Sequence, residues 1–141
     1  MSDELGTLPY TWAMISSIYV NMPVLNVERS KEFFLALGFS LNENYSGPDN
    51  SCIVINSNIS AMLMNLEKFK SFIDKDVATR NTSEVILSFA CESEEEIRSL
   101  CEKAFSMGGR KINEPEDSDF MFSWAFEDLD GHLWDLFWVK S

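Results

Sequence analysis

The feature that most constrains this chain is an internal repeat of one supersecondary unit. A strand-like run, a helix N-cap, an amphipathic helix and a closing glycine occur from Tyr19 to Gly38 and recur from Ile86 to Gly108. In the first copy, Ile15, Ile18, Tyr19 and Val20 mark a strand over residues 14–22. Pro23 ends regular pairing or places it at a sheet edge, because proline has no N–H to donate. Asn26 can satisfy free N–H groups of a first helical turn. Val27, Phe33, Phe34 and Leu37 then fall on or near one helical face. Gly38 suits the left-handed residue that closes a helix. Residues 39–44, 52–55 and 59–65 read as strands, separated by turn formers at 46–50 and 56–58.

The second copy follows the same order. Residues 84–91 read as a strand, and Ser93 with Glu96 forms a capping box. Ile97, Leu100, Cys101, Ala104 and Phe105 make the buried stripe of a helix that ends at Gly108-Gly109. Lys111-Ile112 opens a short strand before an acidic loop at 114–119. Residues 120–127 and 133–139 form a hairpin across Asp130-Gly131, since Asp-Gly tolerates the positive φ of a tight turn. Residues 66–82 break the pattern and read as a connector with a helical turn, its phenylalanines tucked against the sheet.

One β-α-β-β-β unit cannot cover both faces of its sheet, but two such units can. The expected fold is therefore α+β: two β-α-β-β-β modules forming a cup-shaped mixed sheet with helices outside. An N-terminal segment, 1–13, precedes a single domain at 14–141. Within it, module 1 spans about 14–65, the connector 66–82 and module 2 about 83–139.

Charge and length exclude several classes of function. A formal net charge of −12 opposes a nucleic-acid partner, which needs a basic face. No apolar run approaches the roughly 20 residues that span a bilayer, so no membrane partner is expected. The opening Met-Ser-Asp-Glu lacks the basic and apolar regions of a signal peptide, and the protein is read as cytoplasmic. Cys52, Cys91 and Cys101 are an odd number at wide spacing, which fits buried free thiols better than disulfides or zinc. Glu94-Glu95-Glu96 reads as a solvated helix start, where the helix dipole favours negative charge. His132, the one histidine, follows the Asp-Gly turn directly. A turn or dimer contact explains it more simply than a ligand or a base.

Three stretches resemble the vicinal oxygen chelate superfamily of glyoxalase I, extradiol dioxygenases and fosfomycin and bleomycin resistance proteins. Val24-Leu25-Asn26 through Phe33-Phe34 and Leu37-Gly38-Phe39 looks like the family's V-x-D-x-x-x-S-x-x-F-Y…L-G-F opening, with Asn26 in place of Asp. Ser88-Phe89-Ala90-Cys91 leads into the second helix. Phe126-Glu127-Asp128-Leu129-Asp130-Gly131-His132-Leu133-Trp134-Asp135 resembles the closing F-x-D-P-D-G-x-x-W/I-E, with Leu129 where proline is common. Together they run from about residue 15 to 139.

The resemblance implies paired modules around a cup, commonly in a homodimer. It also implies a divalent ion that chelates two substrate oxygens. The positions corresponding to the family's ligands are Tyr19, Met62 or Met64, Ile86 and Asp135. Only Asp135 is a hard carboxylate, Ile86 cannot bind a metal, and Met is a poor ligand for Mg²⁺, Mn²⁺ or Zn²⁺. No catalytic residue, metal ligand or cofactor is assigned on this basis, and whether the chain is an enzyme stays open. Asp135 also has a structural reading, as an acceptor for backbone or Tyr19 inside the cup.

Tyr19, Met62, Met64, Ile86, Met121, Trp124 and Phe137 are expected to line the cup around Asp135. Aromatic and methionine side chains with few polar groups suit a flat organic ligand. The leading expectation is a metal-free small-molecule binding protein, similar in kind to the bleomycin resistance branch. Its ligand would be a small organic molecule, aromatic or cationic, and its partner a second copy. The alternatives are a divalent-metal-dependent lyase or dioxygenase of glyoxalase type with an altered metal site, and an interaction module with a filled interior.

Overall fold

Among the described residues, eight strands and three α-helices account for the repeat, arranged as two four-stranded sheets. The structure, a computed structural model, describes residues 15–141; the segment expected at 1–13 and the strand start at Met14 lie outside the described residues. Module 1 contains β1 (Ile18–Val24), α1 (Val27–Ala36), β2 (Ser40–Leu41), β3 (Asn50–Asn56) and β4 (Ile59–Asn65). Module 2 contains β5 (Ile86–Ala90), α3 (Glu94–Ser106), β6 (Glu116–Asp117), β7 (Met121–Glu127) and β8 (Leu133–Val139). The connector carries the short helix α2 (Leu66–Lys70).

The two sheets have the same topology. Their strand orders are β1-β4-β3-β2 and β5-β8-β7-β6. The first strand of each module pairs parallel with the last, β1 with β4 and β5 with β8, and the other pairs are antiparallel. Among the described residues both sheets are open, and β1 and β5 are edge strands. The edge position accommodates Pro23 inside β1, as its missing N–H requires.

Local chemistry sets the helix ends. The Asn26 side chain accepts from the Arg29 N–H at 3.0 Å, and Gly38 closes the first helix at φ 107°. Ser93 Oγ accepts from the Glu96 N–H at 3.1 Å. Glu96 reaches back to the Glu92 N–H at 2.9 Å, one residue earlier than a capping box places it. Gly108 closes the second long helix at φ 104°.

Two sequence expectations shift. Residues 39–44 form only the two-residue β2 before a 3₁₀ turn, Glu43–Tyr45, which the Asn42 side chain caps. The strand expected at Lys111-Ile112 is reduced to a single bridge between Arg110 and Glu127, and β6 lies in the acidic loop instead. Phe69 of the connector is half-buried, but Phe72 is exposed rather than tucked in.

One core serves both modules. Met22, Val24, Ile53, Ala61 and Leu63 from the first sheet join Phe33 and Phe34 of α1 and its C-cap Leu37. The same cluster continues through Phe122, Trp124, Phe126, Trp134 and Leu136 to Ile97, Cys101 and Ala104 of α3. Aromatic contacts bridge the modules: Phe34 lies 5.0 Å from Trp134, and Phe33 lies 6.1 Å from Phe126, centroid to centroid. The Asp-Gly turn clasps the start of α1 as well. Asp130 accepts from the Leu25 N–H and from the buried Ser30 hydroxyl, each at 2.8 Å. Because α1 and α3 both pack into this core, each sheet has an opposite face free of these two long helices, its helix-free face; on the first sheet the 3₁₀ turn borders that face, where Tyr45 meets Tyr19.

Candidate functional site

Strand alternation decides which side chains reach those helix-free faces. On the first sheet, Tyr19 stands opposite Ser60, Asn21 opposite Met62 and Pro23 opposite Met64. Cys52 faces Met62 across the next ladder. On the second sheet, Ile86 stands opposite Leu133, Ser88 opposite Asp135 and Ala90 opposite Phe137. Met121 pairs with Val139, Ser123 with Phe137 and Ala125 with Asp135. Tyr19 and Ile86 occupy equivalent places, at the same distance before the N-caps Asn26 and Ser93.

The predicted site residues therefore fall into two groups. Tyr19, Met62 and Met64 share the first helix-free face, with Met64 buried and Tyr19 43% exposed. Ile86, Met121, Asp135 and Phe137 share the second, with Ile86 59% exposed. Trp124 belongs to neither group. It pairs with Leu136 on the core side, meets Phe105 of α3 edge-on at 5.3 Å, and donates its Nε1 to the Asn113 carbonyl at 2.9 Å. It is a core residue because it alternates in phase with Phe122 and Phe126.

The side-chain contacts on each of these faces join residues of the same module. Ser88 Oγ donates to Asp135 Oδ2 at 3.1 Å across the parallel β5–β8 pair. This serine, and not Tyr19, is the partner of Asp135. Asn50 Nδ2 donates to Met62 Sδ at 3.0 Å, and Tyr19 tilts against Tyr45 at 6.0 Å. Sequence reasoning missed Ser88, although a residue two after Ile86 in a strand must share its face.

No family model and no curated protein matches this chain. Solved structures do. The chain is similar to hypothetical protein SA1046 from S. aureus, with a TM-score of 0.76 and 29% identity over 94% of this chain and 98% of that one. It is similar to a glyoxalase/bleomycin resistance protein/dioxygenase family enzyme from Burkholderia phytofirmans PsJN, with a TM-score of 0.71 and 15% identity over 86% and 96% of the two chains. A glyoxalase-related enzyme from Fulvimarina pelagi gives a TM-score of 0.73 at 16% identity, covering 85% of each chain. The chain has the glyoxalase/bleomycin resistance/dioxygenase fold.

The metal chemistry associated with that glyoxalase-like fold finds a poor donor set in this chain. The positions that the resemblance points to hold Tyr19, Met62 or Met64, Ile86 and Asp135: a phenol, a thioether, an alkyl group and one carboxylate. A hard divalent ion needs several oxygen or imidazole donors converging on one point. Among the described residues, no group of three or more His, Cys, Asp or Glu side chains is placed to hold an ion. Among the described residues, the donors at these positions do not fit a resident divalent metal.

His132 and Asp128 of the glyoxalase-like fold make structural contacts. His132 Nε2 lies 2.8 Å from the Pro23 carbonyl, which can only accept, so this nitrogen carries the proton. The ring thus ties the module 2 turn to β1. Asp128 is 2% exposed and accepts from Trp134 Nε1 at 2.9 Å, the Asp130 N–H at 2.9 Å and the His132 N–H at 3.0 Å. Burial pushes its carboxyl above the usual range, against the pull of His132 and these donors. The three cysteines are free thiols, with Cys52 and Cys101 fully buried. Burial raises the Cys52 thiol, lifts Cys91 to about 11 and lifts Cys101 to about 12. None is a thiolate nucleophile near neutral pH.

Proposed function

We propose that this glyoxalase-like chain is a metal-free small-molecule binding protein whose site is completed by a second copy of itself. The observation that carries the reading is that Asp135 has no second unengaged carboxylate beside it among the described residues, because Glu127, on the same face, is gripped by Arg110. Asp135 is a carboxylate on a face whose other predicted positions, Ile86, Met121 and Phe137, supply apolar surface and no hard donor. Such a face can hold a flat organic molecule by burying apolar area, at roughly 25 cal/mol per Å². Asp135 and Ser88 would orient a polar substituent. Sequestration requires no bond to form or break.

The second copy is argued from edges. Ile18, Tyr19, Val85 and Ile86 expose apolar side chains on or beside the edge strands β1 and β5. An unpaired edge carrying apolar residues is a template for pairing with another chain. Two open sheets that turn their helix-free faces outward form half-sites, and a partner sheet across the edge would turn each half-site into a cup. Among the described residues no helix is long and apolar enough to cross a membrane. Free thiols at Cys52, Cys91 and Cys101 suit the reducing cytoplasm.

The test is a thermal-shift panel of planar aromatic, cationic and anionic compounds on chelator-treated protein. A ligand at 100 times its Kd stabilises by about 2.7 kcal/mol, a shift of several degrees. At least one class is expected to give that shift, and Asp135→Ala is expected to reduce it. If no compound shifts the transition, or if a shift appears only after a divalent ion is added, the reading is wrong.

A further inference from the structure

Two arginines converge on one carboxylate at the end of the second sheet. Glu127 is the last residue of β7, and its side chain is 9% exposed. Arg110 grips it bidentately, Nε to Oε1 at 2.8 Å and Nη2 to Oε2 at 3.3 Å. This grip holds the Glu127 carboxyl below its usual range and matches its charge. Arg80 approaches the already engaged Oε1 at 3.5 Å, from the connector. The two guanidinium groups therefore carry one positive charge more than Glu127 neutralises.

Arg80 is exposed yet held in place. Its Nη1 donates to the Leu129 carbonyl at 2.9 Å. Its stem lies over Gly131, where an added Cβ would come within 3.0 Å of Arg80 Cγ. The turn that carries it is closed by Thr82 Oγ1, which accepts from the Thr79 N–H at 2.9 Å, and by the Thr82 N–H, which donates to the Thr79 carbonyl at 3.0 Å. Beside these groups is a cavity of about 510 Å³, lined by Arg80, Arg110, Asn81 and Thr82, with the arginine-paired Glu127, Ile112 and Leu133 among its walls. Leu133 is also the neighbour of Ile86 on the helix-free face, in the same strand as Asp135. The cavity thus adjoins the surface to which a ligand is assigned above.

We propose that this cavity is an anion subsite. It would take the carboxylate or phosphate of a small organic ligand, with Arg80 and Arg110 as cationic donors and Ile112 and Leu133 against the apolar part. The inference rests on the ligand-binding reading and specifies its polar end. It also reverses the sign implied by the chain's net charge of −12. Exposed charges are screened over about 8 Å at physiological ionic strength, so the two guanidinium groups in the cavity wall govern contact affinity there.

The experiment is an amide NMR titration of the whole protein with benzoate, phenyl phosphate and benzylamine. Both anions, or one of them if the oxyanion geometry selects, should shift Thr82, Ser83 and Gly131 saturably, and benzylamine should not. Arg80→Gln should weaken the anion at least tenfold with an unchanged spectrum elsewhere. Arg29→Gln, which removes an equal charge from α1, should not weaken it. Absence of anion shifts at those amides, equal binding by Arg80→Gln, equal loss in Arg29→Gln, or equal shifts with benzylamine would each overturn the proposal. Shifts at Ser88 and Asp135 report the parent reading separately: their absence beside an occupied cavity refutes the sheet face as a ligand surface and leaves the anion subsite standing.

Discussion

Trp134→Ala is expected to destabilise the protein by about 4 kcal/mol, within the roughly 3–5 kcal/mol typical of a deleted core tryptophan. Trp134 is 1% exposed and touches both modules. It lies 5.0 Å from Phe34 of α1, 5.6 Å from Phe89 of β5, and stacks at 6° on Phe126 of β7. Removing the indole opens a cavity where α1 meets the second sheet, so neither module can relax alone to fill it. For a chain of this length the loss corresponds to a fall in Tm of about 10–15 °C. Trp134→Phe keeps most of the ring contact but deletes the Nε1 donor to Asp128, and should cost about 1–2 kcal/mol. Urea denaturation of both variants checks this. A cost below about 1 kcal/mol for the alanine variant would mean that the shared core does not pass through this residue.

Asp128→Ala is expected to cost about 3 kcal/mol. Its carboxylate satisfies three N–H donors: the Trp134 indole and the backbone of Asp130 and His132. A buried donor left without a partner costs about 1–3 kcal/mol, and water can reach part of this turn, which limits the sum. Asp128→Asn retains one acceptor oxygen and should fall between the two. The loss also loosens the Asp128–His132 turn, and with it the clasp in which Asp130 holds Leu25 and Ser30. Because Trp134 and Asp128 share one hydrogen bond, the double alanine variant should lose less than the sum of the single losses by about 1–2 kcal/mol. Additive losses would place the two residues in independent networks.

Much of the fold was legible because its punctuation is local. Asn26, Ser93, Gly38, Gly108 and the Asp-Gly turn each act within a few residues of themselves, and all sit where their chemistry predicts. The site was less legible because it depends on phase and register. The run Met121-Phe122-Ser123-Trp124-Ala125-Phe126 is largely apolar on both faces of its strand, so hydrophobicity could not decide that Trp124 points to the core. The Ser88–Asp135 bond needs the parallel register of β5 and β8, which no local pattern encodes. Asp128 reads as an ordinary turn aspartate until the Trp134 indole is folded over it. Arg80 lies in a connector without periodicity, and only the placement of Glu127 and Gly131 gives it a role. The paired modules expected from the repeat are present as two open four-stranded sheets of the same topology that share one core.

The central claim, binding without a resident metal, is tested most directly by the metal content of protein purified without chelator, measured by plasma mass spectrometry. The account predicts well under one equivalent of Mn, Fe, Ni or Zn per chain, unchanged in Asp135→Ala. One equivalent of any of these ions, lost in Asp135→Ala, would contradict it.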